Sequence, residues 1–597
     1  MRAFCPRAAR RAAPFLLSWN RSLQHNSLRH VRHDVAILAV PISPTKGHWR
    51  SFSSTKPARF ILDGDSTIYA LSTAPGRAAI AVVRVSGPSC ASIYNAVCPQ
   101  APLPKPRRAA LRTLYDPHQT PSANSVLDAG ALVLYFSAPK TVTGEDVLEF
   151  HIHGGPAIAK AVLGAIARTN TPDTVVRYAE PGEFTRRAFM NDRLGLPQIE
   201  ALGDTLSAET EQQRRLAVRG SSDALLNRYE SWRQQLLYAR GELEALIDFS
   251  EDQHFDESTE ELVGSVAGQV RALQTQIEFH IRNASKGELL RNGIKVALLG
   301  APNAGKSSLL NLVVGKEAAI VSTEEGTTRD IVDVGVDLGG WYCKLGDMAG
   351  IRADTLGLGG GVVIGAVEKE GIRRARARAL ESDVVIMVVS VEKGSSGARL
   401  FVEPEVLDAA KACLDAGKCL VVAVNKCDRL PAAQRTGVLP ERIANEIHEV
   451  FPAVPQDRVF AISCEEARQG ASSLPESDPG NLQKFLRGLI STFEQIASPE
   501  GDESGHYNTS YWEDSLGVTH RQSSNLQRCL DHLNDFLSQA SPAHPAREDR
   551  GIDALESEVD IVTAAEHLRF AADMLAKITG KGESGDVEDV LGVVFEK

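Results

Sequence analysis

The sequence is poor in three features that each mark a large class of proteins. Its nine cysteines are scattered along 597 residues without a C-x-x-C pair, which argues against a disulfide framework and fits a reducing compartment. No run of about 18 consecutive apolar residues occurs, so the sequence offers no candidate for a membrane-spanning helix. Acids are also scarce at the start, where residues 1–59 contain only Asp34 against nine arginines and two lysines.

This basic leader, rich in serine and alanine, predicts a mitochondrial presequence over residues 1–59 and therefore a location in the mitochondrial matrix. A disordered basic arm that binds RNA is the alternative. Removing the segment changes the formal net charge from −11 to about −21, which argues against a broad basic face for nucleic acid. An RNA would then meet local arginines at 214–215 and 373–378, which equally suit a solvated helix surface, or be held by a partner protein.

A phosphate-binding loop is predicted at Gly300–Ser308, where GAPNAGKSS follows an apolar strand and precedes an amphipathic helix. The stretch fits the G-x-x-x-x-G-K-[ST] pattern in the context that the pattern requires. The glycines allow backbone N–H groups to close around phosphate oxygens, Lys306 reaches the terminal phosphates, and the Ser307 hydroxyl can bind Mg²⁺.

The nucleotide base is indicated by a second motif, Asn425-Lys-Cys-Asp428, which follows an apolar strand. The Asp428 carboxylate can accept hydrogen bonds from both N1–H and the 2-amino group of guanine, a donor pair that adenine does not offer. Ser463, after another short apolar strand, is the candidate for the loop that closes over the base. The bound nucleotide is therefore predicted to be GTP rather than ATP.

Two further motifs have the order and spacing of nucleotide-sensing switches. Gly326–Asp330 supplies the first, with Thr328 as a candidate second hydroxyl on Mg²⁺. In the second, Asp347 can hold the Mg²⁺ shell and the Gly350 amide can meet the terminal phosphate. Ile351 then stands where many small GTPases place the glutamine that orients the attacking water, so another group must do so.

The motifs alone leave two points of chemistry open. Arg329 and Arg352 both remain candidates for an arginine finger supplied within the chain. Asn303 could provide an oxygen to a monovalent cation, which would then deliver positive charge to the phosphates, or it could simply cap the turn.

The combined motifs resemble one family, the MnmE (also called TrmE) tRNA modification GTPases and their mitochondrial homologues. The resemblance extends over roughly residues 65–597. Inside the GTPase region it rests on residues 302–308, 326–330 and 367–372, and outside it on residues 67–77, 83–87, 143–149, 153–156, 179–192 and 242–249.

The resemblance implies a multidomain fold: an α+β N-terminal folate-binding and dimerisation domain, an all-α helical domain, and an α/β P-loop GTPase of the Ras-like type inserted into the helices. The expected segments are a presequence at 1–59, the N-terminal domain at 60–180, the first helical part at 181–290, the GTPase at 291–497, a connector at 498–522 and the second helical part at 523–597. Each helical part would need the other to bury its apolar stripe.

The resemblance also implies residue roles. Glu368 would orient the hydrolytic water. Arg84, Glu149 and Arg193 would bind folate, although the family usually has lysine in place of Arg193. Mg²⁺ would be held by Ser307 and Thr328, and K⁺ by Asn303, Ser322, Glu324 and Thr327. The implied GTP site comprises Asn303, Ala304, Gly305, Lys306, Ser307, Ser308, Ser322, Gly326, Thr327, Thr328, Asp347, Gly350, Asn425, Lys426, Asp428 and Ser463.

The implied function is GTP hydrolysis coupled to a carboxymethylaminomethyl-type modification at C5 of the wobble uridine of mitochondrial tRNA. The implied cofactors are GTP, Mg²⁺, K⁺ and a one-carbon tetrahydrofolate derivative. The implied partners are a second copy of the chain, bound through the N-terminal domain, a GidA/MnmG-type FAD-dependent protein, and tRNA. The alternatives are a mitochondrial ribosome-assembly GTPase and a nucleotide-binding scaffold with impaired turnover.

Two departures from the family pattern bear on activity. Family members end in a short cysteine-containing tail, whereas this sequence stops at Val594–Lys597, so we expect either a truncated sequence or impaired modification. The remaining Cys529 is expected to be an ordinary buried helix residue. A glycine-rich insertion at Thr355–Ala366 lies in the second switch, where it is expected to be mobile and could displace Glu368.

Overall fold

The computed structural model describes residues 66–171, 174–249, 259–323, 334–346, 364–394, 397–431, 439–470, 478–500, 509–540 and 560–581. The predicted presequence lies outside these ranges, as does most of the glycine-rich insertion. Among the helices in these ranges, none combines the length and the apolar composition that crossing a membrane requires.

The N-terminal domain is built on a six-stranded sheet in the order β3-β4-β5-β2-β1-β6. Only β1 and β6 are parallel. Alternate residues of β2 and β5 face the core, where Val83 and Val85 lie opposite Phe150 and Leu148 across the two strands. The elements are β1 Thr67–Leu71, β2 Ile80–Ser86, α1 Cys90–Val97, β3 Ala110–Tyr115, β4 Val126–Phe136, β5 Val147–His153, α2 Pro156–Ala167, β6 Val176–Tyr178 and α3 Glu183–Met190.

Helix α3 packs on this sheet, although the sequence-based boundary starts the helical region at residue 181. Arg187 of α3 is buried and donates from Nη1 to the carbonyl oxygen of Ser66 at 2.7 Å. The i, i+4 partner Glu183 accepts from Arg187 Nη2 at 3.1 Å. These contacts tie the helix to the residue before β1, because the buried Nη1 and Nη2 groups of Arg187 find their acceptors there and on α3 itself.

Helices before and after the GTPase module share one hydrophobic core. Leu236, Ile277, Leu533 and Leu568, one from each of the four long helices, are all almost fully buried in it. Neither chain segment could bury its apolar stripe alone. The helices are α4 Leu196–Ser207, α5 Glu211–Gly220, α6 Asp223–Phe249 and α7 Thr259–Asn292 before the module, and α14 Thr509–Ser515, α15 His520–Ala540 and α16 Ile561–Thr579 after it.

The module between them is a mostly parallel sheet with a core on each face. Its strand order is β14-β13-β11-β7-β10-β9-β8, with β12 paired to β11. Successive residues of β13 alternate between the two cores, as expected for a strand covered by helices on both sides. The strands are β7 Ile294–Leu299, β8 Ala318–Thr323, β9 Val334–Leu338, β10 Trp341–Leu345, β11 Val384–Gly394, β12 Gly397–Phe401, β13 Cys419–Asn425 and β14 Val459–Ala461.

The helices of the module complete the predicted α/β architecture. They are α8 Lys306–Leu312, α9 Ile364–Glu381, α10 Pro404–Asp415, α11 Glu441–Val450, α12 Cys464–Gln469 and α13 Leu482–Ala497. The predicted fold class, an α+β domain, a helical domain and an inserted α/β GTPase, is therefore confirmed. Cys529 is fully buried in α15 as expected, and this burial raises the pKa of its thiol.

The module begins and ends on α7. Its first strand, β7, starts two residues after the end of α7, and the chain leaving α13 returns to the middle of the same helix. There the buried side chain of Asn283 donates to the Glu500 carbonyl oxygen at 2.9 Å and accepts from the Glu500 amide at 2.7 Å. Lys286 adds a 2.8 Å hydrogen bond to the Ser498 carbonyl oxygen and a 3.0 Å ion pair with Glu500. We call Asn283, Lys286, Ser498 and Glu500 the α7 clamp.

The segment 498–522, expected to be an exposed connector, contains helix α14. Trp512 in this helix is 4% exposed, and its ring packs 5.2 Å from the ring of Phe279 on α7. The glycine, serine and acids of the segment dominate its composition, whereas two adjacent aromatic residues, Tyr511 and Trp512, decide its packing.

The close packing of α7 against the turn after α14 yields a stability prediction. A Cβ at Gly287 would lie 1.9 Å from the Leu516 carbonyl oxygen, whereas a Cβ at Gly268 on the same helix has no neighbour within 4 Å. Gly287→Ala should therefore lower the free energy of unfolding by about 1–3 kcal/mol. Gly268→Ala should be neutral or stabilise by up to about 1 kcal/mol. Calorimetry of the full chain measures both variants, and equal unfolding temperatures would contradict the packing of α7 on α14.

Candidate functional site

The phosphate loop needs glycine because neighbouring strands crowd its backbone. A Cβ at Gly300 would lie 2.3 Å from the Val388 carbonyl oxygen of β11. At Gly305 the backbone has a φ of +102°, and a Cβ there would lie 2.1 Å from Asn425 Nδ2. Both the left-handed conformation and the close approach exclude a larger residue at Gly305.

The polar side chains of the loop are held where a phosphate chain could reach them. Lys306 Nζ donates to the carbonyl oxygens of Gly300 and Ala301 at 2.7 and 2.9 Å, which holds the ammonium group across the loop. Ser307 and Ser308 are exposed at the start of α8. Asn303 is also exposed and has a φ of +63°, a conformation that asparagine tolerates better than most residues.

Asn425 connects the phosphate loop with the base-recognition loops. Its side chain is almost fully buried at the end of β13. Nδ2 donates to the Ala304 carbonyl oxygen at 2.8 Å, and Oδ1 accepts from the Cys464 amide at 3.1 Å. One amide group thus fixes the distance between the loop after β7 and the loop after β14, with both ends of its hydrogen-bonding capacity used.

Asp428 and Ser463 are brought together as predicted for a guanine site. The Ser463 hydroxyl donates to Asp428 Oδ1 at 2.8 Å and accepts from the Glu466 amide at 3.2 Å, which caps α12. Lys426 adopts a left-handed φ of +62°, which turns the chain between Asn425 and Asp428. A carboxylate offers about four acceptor positions, so Asp428 can still accept from two N–H groups of a base.

The thiols beside this site are poor nucleophiles. Burial raises the pKa of Cys427 to about 12 and that of Cys464 to about 11. Both thiols therefore stay protonated near neutral pH. Since the thiolate is the reactive form, neither thiol is a good nucleophile. The base-recognition loops are built for binding rather than covalent chemistry.

The switch side chains predicted from sequence lie outside the described residues. Glu368 falls within helix α9, but its side chain is outside the described set, as is that of Ser322 at the end of β8. Six more of the predicted site residues also lie outside the described residues: Glu324, Gly326, Thr327, Thr328, Asp347 and Gly350. The structure therefore brings together the phosphate loop, Asn425, Lys426, Asp428 and Ser463, whereas the metal and hydrolysis assignments on the switches stay predictions.

A second cluster of charged residues lies in the N-terminal sheet. Arg84 of β2 and Glu149 of β5 are paired across the strands. Arg84 Nε and Nη2 both reach Glu149 Oε1, at 2.9 and 2.8 Å. The guanidinium carbon also lies 6.0 Å from the ring centroid of Phe184 on α3. The Arg84 side chain keeps 29% of its surface exposed, so its charge is accessible to a ligand.

Arg193, the third residue predicted for folate, lies on the adjacent loop. Its Nε donates to the Thr141 carbonyl oxygen at 3.0 Å. The loop that contains Thr141, between β4 and β5, is joined to β2 by a 2.6 Å hydrogen bond between the hydroxyl groups of Thr143 and Ser86. Arg84 and Glu149 therefore form a direct pair, while Arg193 supports the loop beside them.

Sequence reasoning missed the network that positions this cluster. Arg187 is buried and contacts both carboxylate oxygens of Glu145 at 3.1 Å, and Glu145 accepts from the Ser86 hydroxyl at 2.8 Å. Burial would raise the pKa of Glu183, but hydrogen bonds from Arg177 and the Glu180 amide lower it, so this carboxylate stays ionised. The i, i+4 spacing of Glu183 and Arg187 was the available signal.

Two family models match this chain and show the family to which it belongs. The family model for the GTP-binding protein TrmE N-terminus matches residues 67–193, and the model for the MnmE helical domain matches residues 196–597. The chain belongs to the MnmE/TrmE family. The two matches together cover the described part of the chain except residues 66, 194 and 195, and they include the site residues discussed above.

Curated relatives of this MnmE/TrmE chain extend over most of its length. The tRNA modification GTPase mss1, mitochondrial, of Schizosaccharomyces pombe is 35% identical over 531 residues, covering 89% of this chain and 94% of the relative. The 5-taurinomethyluridine-[tRNA] synthase subunit GTPB3, mitochondrial, of Homo sapiens is 35% identical over 534 residues, covering 89% and 92%. The tRNA modification GTPase MnmE of Parvibaculum lavamentivorans is 45% identical over 331 residues, covering 55% and 70%.

The guanine site generates a specificity prediction. Asp428→Asn replaces two charge-assisted acceptor contacts and should weaken GTP binding at least roughly a hundredfold, about 2.7 kcal/mol. The new amide can donate to the 2-oxo group of xanthine, so XTP binding should improve. Fluorescence titration with labelled nucleotides measures both affinities. Asp415→Asn, at an exposed carboxylate ending α10, is the matched control, and an unchanged GTP affinity in Asp428→Asn would refute the assignment.

Proposed function

We propose that the chain is the GTP-hydrolysing subunit of a mitochondrial enzyme that modifies C5 of the wobble uridine of tRNA. The observation that carries this proposal is a pair of contacts, Asn425 with the Ala304 carbonyl oxygen and Ser463 with Asp428, set within a chain that matches the MnmE/TrmE family on both sides of the GTPase module. Its long relatives are named as mitochondrial tRNA modification proteins. A general ribosome-assembly GTPase would need no such N-terminal domain.

The nucleotide chemistry proposed for the site uses groups on the loop and the switches. Ser307 and Thr328 would hold Mg²⁺, and Asn303, Ser322, Glu324 and Thr327 would hold K⁺. Exposed oxygens at Asn303 and Ser307 suit hard cations, which prefer oxygen ligands. These cations would supply positive charge to the phosphate oxygens. Asp347 and Gly350 would sense the terminal phosphate, and Glu368 would orient the hydrolytic water.

A one-carbon tetrahydrofolate derivative is proposed for the cluster around Arg84 and Glu149. The accessible guanidinium can meet a folate carboxylate, and the Glu149 carboxylate can accept from the 2-amino group and adjacent N–H of a pterin ring. Glu149 keeps acceptor capacity because both Arg84 contacts use Oε1, and the neighbour of Oε2, His151 Nε2, lies 3.5 Å away. Arg193 would contribute a second positive charge from its loop.

The coupling proposed between hydrolysis and modification runs through α7. The α7 clamp fixes the end of the GTPase module to the helix from which the module starts, so a rearrangement of the module acts on the bundle at this helix. The proposed partners are a second copy of the chain, joined through the N-terminal domain, an FAD-dependent GidA/MnmG-type protein and tRNA. We also propose that the domains follow the boundaries predicted from sequence, except that α3 belongs with the N-terminal sheet.

The hydrolysis mechanism is tested by steady-state GTP turnover of the full chain in potassium and in sodium at equal ionic strength. We expect turnover in potassium that falls at least about tenfold in sodium, because a smaller cation fits the oxygen cage poorly. Glu368→Ala should reduce kcat by about two to four orders of magnitude, the range for loss of a group that positions the reacting water.

The matched control is Glu370→Ala, which removes the same type of side chain two residues along α9. Its turnover should be unchanged. GTP binding without turnover in either salt would support the nucleotide-binding scaffold instead, and equal losses in both variants would refute a specific role for Glu368.

A further inference from the structure

A cluster of metal-binding side chains lies in the helical bundle, away from the two sites described above. His532 and Asp535 are three positions apart on α15, a spacing that places both on one face of the helix. His567 comes from the facing helix α16. One ligand atom of each residue lies within 4.8 Å of those of the other two.

Both imidazole rings have a buried nitrogen that the protein leaves without a hydrogen bond. Among the described residues, neither His532 Nδ1 nor His567 Nδ1 has a partner. The nearest carboxylate oxygen to His567 Nδ1 is Asp535 Oδ2 at 3.8 Å, which is too long for a hydrogen bond. Buried polar groups are nearly always satisfied, so two unsatisfied nitrogens in a cluster that includes a carboxylate require an explanation.

A simple ion pair does not supply this explanation. A hydrogen bond from His567 Nδ1 to Asp535 would require the 3.8 Å separation to shorten, and it would still leave His532 Nδ1 without a partner among the described residues. The two rings are neighbours, with centroids 6.0 Å apart. A single cation between the three side chains satisfies both nitrogens and the carboxylate together.

We propose that His532, Asp535 and His567 form a binding site for a divalent transition metal of the zinc type. Two imidazole nitrogens and one carboxylate oxygen are donors that Zn²⁺ prefers, whereas Mg²⁺ and Ca²⁺ favour all-oxygen sets. Tetrahedral zinc places its ligand atoms roughly 3.4 Å apart, so small side-chain rotations close the cluster. The Asp535 side chain is 59% exposed, which gives the metal an access path and leaves room for water as the fourth ligand.

Gln539 provides the outer contact that such a site needs. Its amide nitrogen lies 3.3 Å from His567 Nε2. A histidine that binds a metal through Nδ1 carries its proton on Nε2 and needs an acceptor there. A half-turn of the Gln539 amide presents its oxygen to Nε2, so the residue can serve either tautomer of the ring.

The metal would join α15 to α16, the two long helices that follow the GTPase module. Phe536 on α15 and Leu568 on α16 are both fully buried in the core shared with α6 and α7. Binding to the folded state alone stabilises it by mass action. Occupancy of the site therefore sets how firmly the C-terminal half of the bundle holds together.

The test is a titration of the tag-free full chain, stripped of metal with a chelator, with Co²⁺ followed by visible absorption and then with Zn²⁺ as competitor. We expect one Co²⁺ per chain with a tetrahedral nitrogen and oxygen spectrum, displaced by Zn²⁺. Zn²⁺ should also raise the thermal unfolding temperature of the chain. A sulfur-to-cobalt charge-transfer band would place the metal on cysteine and overturn the proposal.

Three variants locate the site. His532→Gln, His567→Gln and the exposed Asp535→Asn should each weaken Co²⁺ binding at least about tenfold, the smaller loss seen even for outer-shell partners, and should abolish the thermal shift. Asp535→Asn guards against misfolding, since its side chain is largely exposed. His520→Gln, at a side chain 90% exposed on the same helix, is the matched control. Equal affinity in all four variants, or no binding by the native chain, would overturn the proposal.

Discussion

The double hydrogen bond between Asn283 and the peptide groups of Glu500 is the contact on which this architecture depends. A module of about two hundred residues is inserted into a helical bundle, and the bundle can close only if the two ends of the insertion return to the same place. The Asn283 side chain offers both donors and an acceptor, and the chain returning from α13 uses one of each. Lys286 adds charge to the contact, and its hydrogen bond lowers the pKa of Glu500. The four-helix core then forms from segments that are far apart in sequence.

The nucleotide site repeats this principle on a smaller scale. Asn425 also bridges two separate backbone segments, because it donates to Ala304 in the phosphate loop and accepts from Cys464 at the start of α12. The phosphate loop and the base-recognition loops therefore keep a fixed separation, as binding of a nucleotide at both ends requires. In each place a buried amide donates to one peptide group and accepts from another, which makes the junction rigid as well as specific.

Sequence patterns predicted the local features well. The Gly300–Ser308 loop and the Asp428 carboxylate follow from short motifs, because the chemistry of each is carried by neighbouring residues. The α7 clamp could not be predicted, since Asn283 and Glu500 are polar residues 217 positions apart with no periodic signal. The packing of helix α3 on the N-terminal sheet could not be predicted for a similar reason, because it depends on the contact of Arg187 with Ser66.

The histidine cluster illustrates the same limit. His532 and His567 stand on helices whose apolar periodicity was evident, yet their pairing depends on how α15 faces α16. The packing of α14 on α7 was hidden in the sequence for a different reason, because acids and glycines dominate the composition of residues 498–522 while one aromatic contact, Trp512 with Phe279, holds the helix. Composition describes the average of a segment, whereas packing is decided by its few large side chains.

The central claim is that the α7 clamp couples GTP hydrolysis to tRNA modification. Its most direct test is nucleoside mass spectrometry of mitochondrial tRNA from cells that lack their own family member and express either the native chain or Asn283→Ala, with GTP turnover of each purified protein measured in parallel. The account predicts that Asn283→Ala retains GTP turnover, which shows that the module is folded, but fails to restore the C5 modification of the wobble uridine. Restoration equal to that of the native chain, with turnover also unchanged, would contradict it.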